Sequence, residues 1–517
     1  MPSLYLLPLS ILAVVICRRA LAFVKDLGTI QYHVGKRQLV SVQSVLTAFL
    51  PPLRWITEGA NSRIRLKHSQ YERFGWDVIS EVAVIGQRTI VFSLADADVV
   101  REVTASSRGR FVKPVEIYER TEIYGPHIIS AEGEQWKKYK KLVSPAFTER
   151  NNRLVFKETV NILSELFEDV WRDKDIIELD HCTSLTYKIA LLVLGAAVFG
   201  NKPSWETEPG PKGGHRMTFN QALHGMTSDF YLSVILPASA MGLTERFRKA
   251  RVSFEELGAH LTETLEEKKN SPDSEGKSDL FSIILANNED SDDKLPDAAV
   301  KGNIFIFLIA GHETTAHTLA FTFALLSMYP EEQEALYTHI TSVLEGRLVP
   351  SYEDLPRLTR CTAVLYETMR LFPPITSVPK SVAEDTTLDI TNRKGEKKTI
   401  PVPKGSTVLI DAAGMHYNPR YWKDPLSFNP ERFLRDYRRD AFIPFSSGPR
   451  ACPGRRFFET EAVAVMAMFI SKYKVSIKEE PQFSSETFEQ RYERIFASKE
   501  VLTLTPTRVP LVFTKRV

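Results

Sequence analysis

The sequence predicts a mainly α-helical protein with a small β region, and two patterns support that prediction. Apolar residues recur three and four positions apart over long stretches, as expected for helices with one buried face; these stretches are residues 154–170, 219–236 and 249–269. Short runs rich in β-branched residues, at 82–92 and 407–410, predict a few strands. The 517 residues are enough for an enzyme-sized protein with a large core.

One helix is expected to be much longer than the others. Its pattern runs from Asp297 to Tyr329 and is bounded by Pro296 and Pro330, because proline breaks the interior of a helix. At about 1.5 Å per residue, this helix is a rod roughly 50 Å long. Residues 304–309 are apolar on every side, so the rod is expected to cross the interior of the protein.

A polar hexapeptide, Ala310-Gly311-His312-Glu313-Thr314-Thr315, follows directly in the middle of this apolar rod. An acid and two hydroxyls in a buried helix need hydrogen-bond partners or a chemical role. Two interpretations stand. The hexapeptide is either a catalytic group or a bend at which the threonine side chains bond back to the preceding turn.

Composition and charge exclude several classes of protein. The chain has 66 Lys and Arg against 64 Asp and Glu, a formal net charge of +2, so it lacks the basic field of a nucleic-acid-binding protein. Hydrophobic residues at 43% and charged residues at 25% are ordinary for a globular protein and exclude disorder. The four cysteines are too widely spaced to suggest a disulfide framework or a zinc cluster, which predicts a reducing compartment; they are Cys17, Cys182, Cys361 and Cys452.

The N-terminus predicts a membrane anchor. Residues 4–16 are almost wholly apolar, and Arg18 and Arg19 follow. A helix over residues 4–16 spans about 20 Å, less than the roughly 30 Å hydrocarbon core, but residues 20–24 extend the stretch if the arginines reach the interface. Basic residues after an apolar run place the rest of the chain on the cytosolic side. A cleaved secretory signal, the alternative, carries its basic residues before the run.

These patterns divide the chain into an anchor at residues 1–24, a membrane-proximal segment at residues 25–69 and a main domain at residues 70–517. The middle segment contains an amphipathic stretch at residues 39–56. This stretch either lies in the membrane interface or begins the globular fold.

A second motif surrounds Cys452. The pattern Phe445-x-x-Gly448-x-Arg450-x-Cys452-x-Gly454, with a proline on each side of the cysteine, predicts a rigid and tight loop. A thiolate held in such a loop, beside Arg450 and before a helical pattern at residues 457–470, can be a permanent metal ligand. The alternative is a buried structural cysteine. Chance would give this pattern in on the order of 10⁻⁵ to 10⁻⁴ of chains, which favours the ligand.

The chain resembles the cytochrome P-450 monooxygenases, because this loop matches every fixed position of their haem-thiolate signature. The hexapeptide resembles the oxygen-activation motif of the family, and Glu367-Thr368-Met369-Arg370 with Arg432 resembles its core ion-pair residues. Trp136-Lys137-Lys138-Tyr139-Lys140 matches a further element, and the agreement covers about residues 70–515. The resemblance implies the cytochrome P-450 fold, with the long central helix lying over the haem, and a haem-thiolate catalytic domain at residues 70–517.

The resemblance also assigns roles to the residues of both motifs. Cys452 would be the fifth ligand of the iron of haem b, within a cofactor-binding loop that includes Phe445 and Gly454. Ala310 and Gly311 would be small so that the haem and O₂ fit against the helix, and His312 would not be a ligand. The catalytic residues would be Thr314, whose hydroxyl relays protons to O₂, and Glu313, which resupplies them.

Other residues would bind the rest of the haem or support it. The haem propionates need cationic and N–H partners, and by position these are Trp136, Lys140, Lys380 and Arg450. Lys140 stands where an arginine is usual, which keeps the charge but loses the bidentate geometry. Three residues would be structural and would lock the region behind the haem: Glu367, Arg370 and Arg432.

The resemblance implies O₂, a lipophilic small molecule and an NADPH-dependent flavoprotein reductase as partners, and a membrane but no nucleic acid. Clustered cations predict a docking surface for the reductase; they are Lys137, Lys138, Lys140, Lys141, Arg435, Arg438, Arg439, Arg455 and Arg456. The anchor predicts the endoplasmic reticulum membrane, with the catalytic domain in the cytosol. Pocket segments rich in apolar residues, among them Phe305, Phe307, Ile309, Val501 and Leu502, and a likeness to fungal microsomal members favour a terpenoid or sterol-like substrate of secondary metabolism.

Two other functions are compatible with a haem-binding chain. One is a haem-thiolate isomerase or dehydratase that acts on peroxides without a reductase, and the other is a non-catalytic haem-binding sensor. Such isomerases typically lose the acid–threonine pair, whereas this chain retains Glu313 and Thr314. A sensor has no need to deliver protons to O₂. The sequence therefore favours the monooxygenase.

Overall fold

The computed structural model describes residues 3–48, 50–86, 89–105, 109–200, 205, 210–211, 213–230, 232, 241–270 and 279–516, with the backbone alone at residues 3–13, 45 and 48. The chain forms two compact units. Unit 1 comprises Met1–Pro114, Met369–Phe428 and Asp436–Cys452, and unit 2 comprises Val115–Thr368, Asn429–Arg435 and Pro453–Val517.

Helices dominate the described chain, as the sequence predicts. In chain order they are α1 (Ser3–Thr29), α2 (Ser62–Leu66), α3 (Ser69–Phe74), α4 (Ala97–Ala105), α5 (Val115–Tyr118), α6 (Gly133–Val143), α7 (Glu149–Glu165), α8 (Cys182–Phe199), α9 (Phe219–Ser228), α10 (Glu245–Asn270), α11 (Leu280–Glu289), α12 (Asp297–Met328), α13 (Pro330–Leu344), α14 (Thr359–Leu371), α15 (Ala412–His416), α16 (Arg455–Lys472) and α17 (Phe488–Ile495).

The strands are short. They are β1 (Gly35–Val40), β2 (Val78–Ile85), β3 (Ile90–Leu94), β4 (Phe111–Val112), β5 (Ile176–Leu179), β6 (Ser377–Val382), β7 (Thr386–Thr391), β8 (Lys397–Val402), β9 (Thr407–Asp411), β10 (Tyr473–Ile477), β11 (Ser498–Glu500), β12 (Leu504–Pro506) and β13 (Leu511–Lys515).

Unit 1 is built around a six-stranded sheet with the strand order β1-β2-β3-β9-β6-β4, beside which β7 and β8 form a hairpin. β1 pairs with β2 in parallel, from Gly35 opposite Ser80 to Val40 opposite Ile85. The N–H groups of Leu39 and Val40 donate to the carbonyls of Trp55 and Ile56 at 2.9 Å. Both ends of the amphipathic stretch at residues 39–56 are therefore tied into the globular fold.

Unit 2 holds most of the helices and a three-stranded sheet in the order β10-β13-β5. Its core contains a cluster of aromatic rings around Phe469, whose ring centroid lies 5.2 Å from that of Phe323, 5.5 Å from Phe513 and 5.7 Å from Trp171. Such edge-to-face and tilted ring contacts add to the free energy gained by burial. They fix α12 and α16 against the sheet.

Helix α12 is the long rod that the sequence predicts. It begins after Pro296, carries Asp297 in its first turn, where the helix dipole favours an acid, and ends at Met328, before Pro330 opens α13. Its residues are buried on nearly every side. Close packing needs a glycine at one point, because a Cβ atom at Gly302 would lie 2.4 Å from the carbonyl oxygen of Gly125.

Helix α1 extends beyond the predicted anchor, to Thr29. Its 27 residues would be about 40 Å long, which exceeds the hydrocarbon core of a bilayer. Several apolar side chains along it are exposed; they are Val14, Val15, Ile16, Leu21 and Val24. In the described part of the chain, two helices are long and apolar enough to cross a membrane; they are α8 and α12, and both are mostly buried inside the protein.

The run at residues 82–92, predicted to be extended, covers the end of β2 and the start of β3. The run at residues 407–410 lies in β9, as predicted. The pattern at residues 249–269 is α10, and the pattern at residues 154–170 is α7 followed by one π-helical turn at Leu166–Val170. The pattern at residues 219–236 is helical at Phe219–Ser228, and its remainder lies mostly outside the described residues.

Candidate active site

The loop that carries Cys452 is closed by its own backbone. Ser446 and Gly448 adopt positive φ values of 59° and 72°, and Gly448–Arg450 form a 3-10 turn that contains Pro449. The N–H of Cys452 donates to the carbonyl of Phe445 at 2.9 Å. A positive φ is uncommon for a non-glycine residue, so the backbone at Ser446 is tightly constrained. The side chain of Cys452 is exposed.

The rest of unit 1 holds this loop in place. The buried ring of His416 accepts a hydrogen bond at Nε2 from the N–H of Ile443 at 3.0 Å, and burial lowers the pKa of His416 to about 3, so the ring stays neutral. The loop also passes close to α4, where a Cβ atom at Gly448 would lie 2.5 Å from the carbonyl oxygen of Thr104. Glycine is therefore required at this position.

Among the described residues, helix α12 carries one stripe that is exposed or only half-buried, called here the uncovered stripe. Ala310 is exposed, and Phe307, Gly311 and Thr314 are half-buried, whereas the other residues from 304 to 313 are buried. Phe307 and Thr314 each lie three or four positions from Ala310 and Gly311, so the four residues share one face of the helix. At Gly311 a second reason for a small residue exists, because a Cβ atom there would lie 3.2 Å from the side chain of Leu194 on α8.

The threonines of the hexapeptide bond back to their own helix, as one interpretation of the sequence predicts. The hydroxyl of Thr314 donates to the carbonyl of Ala310 at 2.8 Å, and that of Thr315 donates to the carbonyl of Gly311 at 2.8 Å. Thr314 lies on the uncovered stripe, whereas Thr315 is buried. Position on the helix, and not the hydrogen bond, therefore distinguishes these two hydroxyls.

Glu313 is buried, and burial raises the pKa of its carboxyl to about 7. In the described part of the chain, the one hydrogen bond to this carboxyl comes from the hydroxyl of Thr503, at 3.5 Å. Because that bond is long, it offsets little of the cost of burying the charge. The acid can therefore hold or release a proton near neutral pH.

Glu367 and Arg432 meet in unit 2. The Nε atom of Arg432 lies 3.3 Å from Oε1 of Glu367, which also accepts the N–H of Asn429 at 2.8 Å. Glu367 is completely buried, so this charge needs such partners. In unit 1, the guanidinium of Arg370 donates to three backbone carbonyls within 2.7–3.0 Å, those of His416, Pro425 and Ser427.

The residues predicted to bind propionates lie on three elements. Trp136 and Lys140 share a face of α6, where Nζ of Lys140 lies 5.0 Å from the centroid of the indole ring. Lys380 is buried on β6 opposite Val408, and Arg450 lies in the cysteine loop of unit 1. The structure thus brings Trp136 and Lys140 together.

Several of the predicted docking cations already have acidic neighbours. Lys137 lies 2.7 Å from Glu134, Lys138 pairs with Asp293, and Arg455 lies 2.8 Å from Glu459. Arg438 lies 2.5 Å from Asp98, and Arg456 lies 3.4 Å from Glu459. These pairs reduce the positive field that the sequence suggests.

Comparison with known proteins decides the family. Residues 80–497 match the sequence profile described as Cytochrome P450. The chain belongs to the cytochrome P450 family. It is 44% identical over 521 residues to cytochrome P450 monooxygenase 124 of Postia placenta, with 100% of both chains covered. It is 36% identical over 202 residues, 38% of this chain and 42% of the relative, to cyclooctat-9-en-7-ol 5-monooxygenase of Streptomyces melanosporofaciens.

The fold agrees with this membership. The crystal structure of the cytochrome P450DA heme domain superposes with a TM-score of 0.74 at 20% identity, covering 94% of this chain and 98% of that one. The predicted mainly α fold is therefore confirmed, and so is the predicted family. Members of the cytochrome P450 family are oxidoreductases that hold haem b through an axial cysteine thiolate.

The cysteines of this cytochrome P450 differ in how well each could serve as the thiolate ligand of the haem iron. Cys182 and Cys361 are completely buried in helices, and burial raises the pKa of both thiols, which disfavours a thiolate. Cys17 lies on α1. Cys452 is exposed on a constrained loop three residues before α16, whose N-terminus favours negative charge. The residues present therefore fit a haem thiolate at Cys452.

Two residues beside the site escape prediction from the sequence. Thr503 lies in the turn between β11 and β12, 190 positions from the carboxyl that it contacts, so no local pattern points to it. His317 contacts the same hydroxyl and stands four residues after Glu313 on α12. That spacing puts both on one helix face and was the available signal.

Proposed function

We propose that this cytochrome P450 is a monooxygenase that inserts one oxygen atom from O₂ into a lipophilic substrate, with electrons from an NADPH-dependent flavin reductase. One observation carries the proposal. Adjacent residues of α12 present a hydroxyl, Thr314, on the uncovered stripe and a buried acid, Glu313, with a pKa of about 7. A reaction that reduces O₂ consumes protons, and this pair can supply them.

The residues divide the work of such a reaction. Haem iron bound by a cysteine thiolate supplies the chemistry that activates O₂. Cys452 would hold the iron, and Ala310 and Gly311 leave room beside the helix. Thr314 would orient a proton donor toward the reacting oxygen, and Glu313 would replace the proton from the protein interior. The buried surroundings keep bulk water from competing for that proton.

Other residues would hold the cofactor and support it. Trp136, Lys140, Lys380 and Arg450 would bind the two propionates by charge-assisted hydrogen bonds. We assign Glu367, Arg432 and Arg370 a structural role, because Glu367 and Arg370 are buried, Arg432 is nearly so, and all three are bonded to protein groups. Phe445 and Gly454 would shape the loop, and Gly454 is the N-cap residue that directly precedes α16.

The reductase would dock through the lysines of α6. Lys137, Lys138, Lys140 and Lys141 are exposed on this short helix. Because Lys137 and Lys138 have acidic neighbours and Lys140 is assigned to a propionate, we propose that Lys141 contributes most to the contact. An acidic partner would be guided there mainly through its rate of association.

The N-terminal helix would anchor the enzyme in the endoplasmic reticulum membrane, with the catalytic domain in the cytosol. Its length, its exposed apolar side chains and the arginines that follow the first apolar run support this arrangement. Deletion of residues 1–24 should release the protein from microsomes. Co-sedimentation of the shortened chain with membranes would contradict the anchor.

A terpenoid or sterol-like compound of secondary metabolism is the proposed substrate class. Val501 and Leu502, at the tip of the β11–β12 hairpin, expose apolar side chains close in sequence to Thr503. The relative from Streptomyces melanosporofaciens acts, by its name, on a cyclic alkenol. An apolar substrate held mainly by shape agrees with both observations.

The test is a reconstituted reaction with reductase, NADPH and ¹⁸O₂ over a panel of cyclic terpenoids and sterols. The proposal predicts one labelled atom per product molecule and no product without the reductase. Product formed from a hydroperoxide without reductase would instead support the isomerase.

Thr314→Ala should raise the share of O₂ released as peroxide at least about tenfold, given that proton donors typically contribute 10²–10⁴-fold. The matched control, Thr315→Ala, removes an equivalent hydroxyl from the buried face and should keep product formation.

A further inference from the structure

A short series of buried polar groups connects Glu313 to His317 through Thr503. The hydroxyl oxygen of Thr503 lies 3.5 Å from Oε2 of Glu313 and 2.7 Å from Nδ1 of His317. All three side chains are buried. The three groups belong to unit 2, and two of them are held by one rigid element, α12.

This series has two hydrogen-bond arrangements, because a hydroxyl can donate in one direction at a time. When Glu313 is a carboxylate, Thr503 donates to it and accepts from Nδ1–H of His317. When Glu313 carries a proton, the acid donates to Thr503, which donates to Nδ1. The position of the hydroxyl proton and the tautomer of the ring therefore follow the protonation state of the acid.

The ring of His317 is suited to this task because it stays neutral. Burial, with His312 and His181 nearby, lowers the pKa of His317 to about 3. Its other nitrogen, Nε2, is buried and has no hydrogen-bond partner in the described part of the chain. Such a group destabilises the fold, so a purely structural residue would be better replaced by an apolar one.

In the described part of the protein, the groups packed around Glu313, Thr503 and His317 are mostly uncharged. The ring of Tyr187 on α8 packs against His317 at a centroid distance of 5.2 Å. Burial and the nearby charge of Glu313 both raise the pKa of Tyr187. His181 precedes α8, and its Nδ1 accepts the N–H of Val509 at 3.2 Å. His312 bonds to the carbonyl of Leu308 at 2.8 Å and stays neutral because burial lowers its pKa to about 4.

We propose that Thr503 and His317 are positioning residues that set whether Glu313 carries a proton, by fixing the direction in which the hydroxyl of Thr503 donates. This inference rests on the proposed function of Glu313 as the proton source. Thr503 stabilises the carboxylate by donating to it, and His317 orients that donation through Nδ1–H. Hydrogen bonds in such a series strengthen one another in a buried site.

The experiment is an infrared titration of the ferric holoenzyme, in which the carbonyl stretch of a protonated carboxyl is followed against pH. The band that disappears in Glu313→Gln belongs to Glu313. Glu461 is a second buried acid, with a pKa raised to about 8 by burial, so Glu461→Gln is the control that removes its overlapping band. Its loss should leave the titration of Glu313 unchanged.

Thr503→Val keeps the shape of the side chain and removes the hydroxyl. We expect the pKa of Glu313 to rise by less than about one unit, because the lost hydroxyl donates to the carboxylate over a long distance of 3.5 Å. Thr503→Ser should restore the wild-type titration. His317→Phe should shift the titration in the same direction by a smaller amount, and the pH at which peroxide release rises should move in parallel in all variants.

The outcomes separate the inference from the function on which it rests. An unchanged titration in both Thr503→Val and His317→Phe would overturn the inference, even if Glu313→Gln loses coupled turnover. Normal coupled turnover in Glu313→Gln would contradict the proposed proton source itself, whatever the titrations show.

Discussion

Glu313 and Glu367 are both buried glutamates on helices of unit 2, yet their surroundings differ in kind. Glu367 accepts a backbone N–H at 2.8 Å and lies 3.3 Å from the guanidinium of Arg432. Glu313 has a hydroxyl at 3.5 Å, and its pKa rises to about 7. A buried acid that is surrounded by donors supports the fold, whereas one with few donors can exchange a proton.

The largest expected effect is a loss of stability on replacing Glu367, the buried acid whose charge is balanced by Arg432. Glu367→Ala leaves the side chain of Arg432 largely buried without its carboxylate, and breaking a buried pair in this way destabilises by about 3–5 kcal/mol. Urea unfolding of the holoenzyme should show this loss, together with a lower haem content. The double variant Glu367→Met, Arg432→Met should recover most of it, because no charge is left alone. If Glu367→Ala lowers the free energy of unfolding by less than about 1 kcal/mol, the proposed difference between Glu367 and Glu313 is wrong.

Replacing Glu313, the buried acid with no cationic partner in the described part of the chain, should instead raise the stability of the protein at high pH. Its pKa is about 7 in the folded protein and 4.5 for an ordinary glutamate, so the unfolded chain loses this proton at lower pH than the folded one. The contribution of Glu313 to the free energy of unfolding should therefore fall as pH rises from about 4.5 to about 7 and then stay level. Glu313→Gln removes this term. It should be more stable than wild type at pH 8 by up to about 3 kcal/mol and equal to it at pH 4.5.

The measurement is urea unfolding of wild type and Glu313→Gln at both pH values. A variant that is less stable than wild type at pH 8 would show that the carboxylate is stabilised by its surroundings after all. Glu461→Gln offers a second comparison, since its pKa of about 8 predicts the same sign of change. Unlike Glu313→Gln, it should leave turnover unchanged.

The smallest effect on stability is expected at the exposed lysines of α6. Lys141→Glu should leave the unfolding midpoint unchanged, because an exposed charge contributes little to stability. The rate of reduction by the reductase should fall several-fold at low ionic strength and approach the wild-type rate at high salt. Lys397→Glu, a charge reversal at an exposed lysine of β8, is the matched control. Equal slowing in both variants would contradict docking at α6.

The sequence predicts those parts of the site whose shape is local. Two prolines bound α12, and glycine and proline constrain the loop of Cys452, so both elements could be placed from nearby residues. The pair of Glu367 with Arg432 was predictable through family resemblance, although their positions are far apart in the chain. In each case the residue type itself limits the local backbone or carries a recognisable pattern.

The remainder depends on contacts between distant segments. The carbonyls that cage Arg370 come from residues 46–57 positions away, and carbonyls leave no trace in a sequence pattern. The burial of Phe305 against Tyr124, where a pocket-lining residue was expected, depends on how a loop returns to α12. The contact of Thr503 with Glu313 likewise requires the folded chain.

The most direct test of the account concerns Cys452. The expressed protein is reduced with dithionite, and its absorption difference spectrum is recorded with and without carbon monoxide. The account predicts a red-shifted Soret band in the wild type, abolished in Cys452→Ser and retained in Cys361→Ser, since the thiol of Cys361 is buried. A band typical of histidine-ligated haem in the wild type, or a red-shifted band that survives in Cys452→Ser, would contradict the assignment of the thiolate.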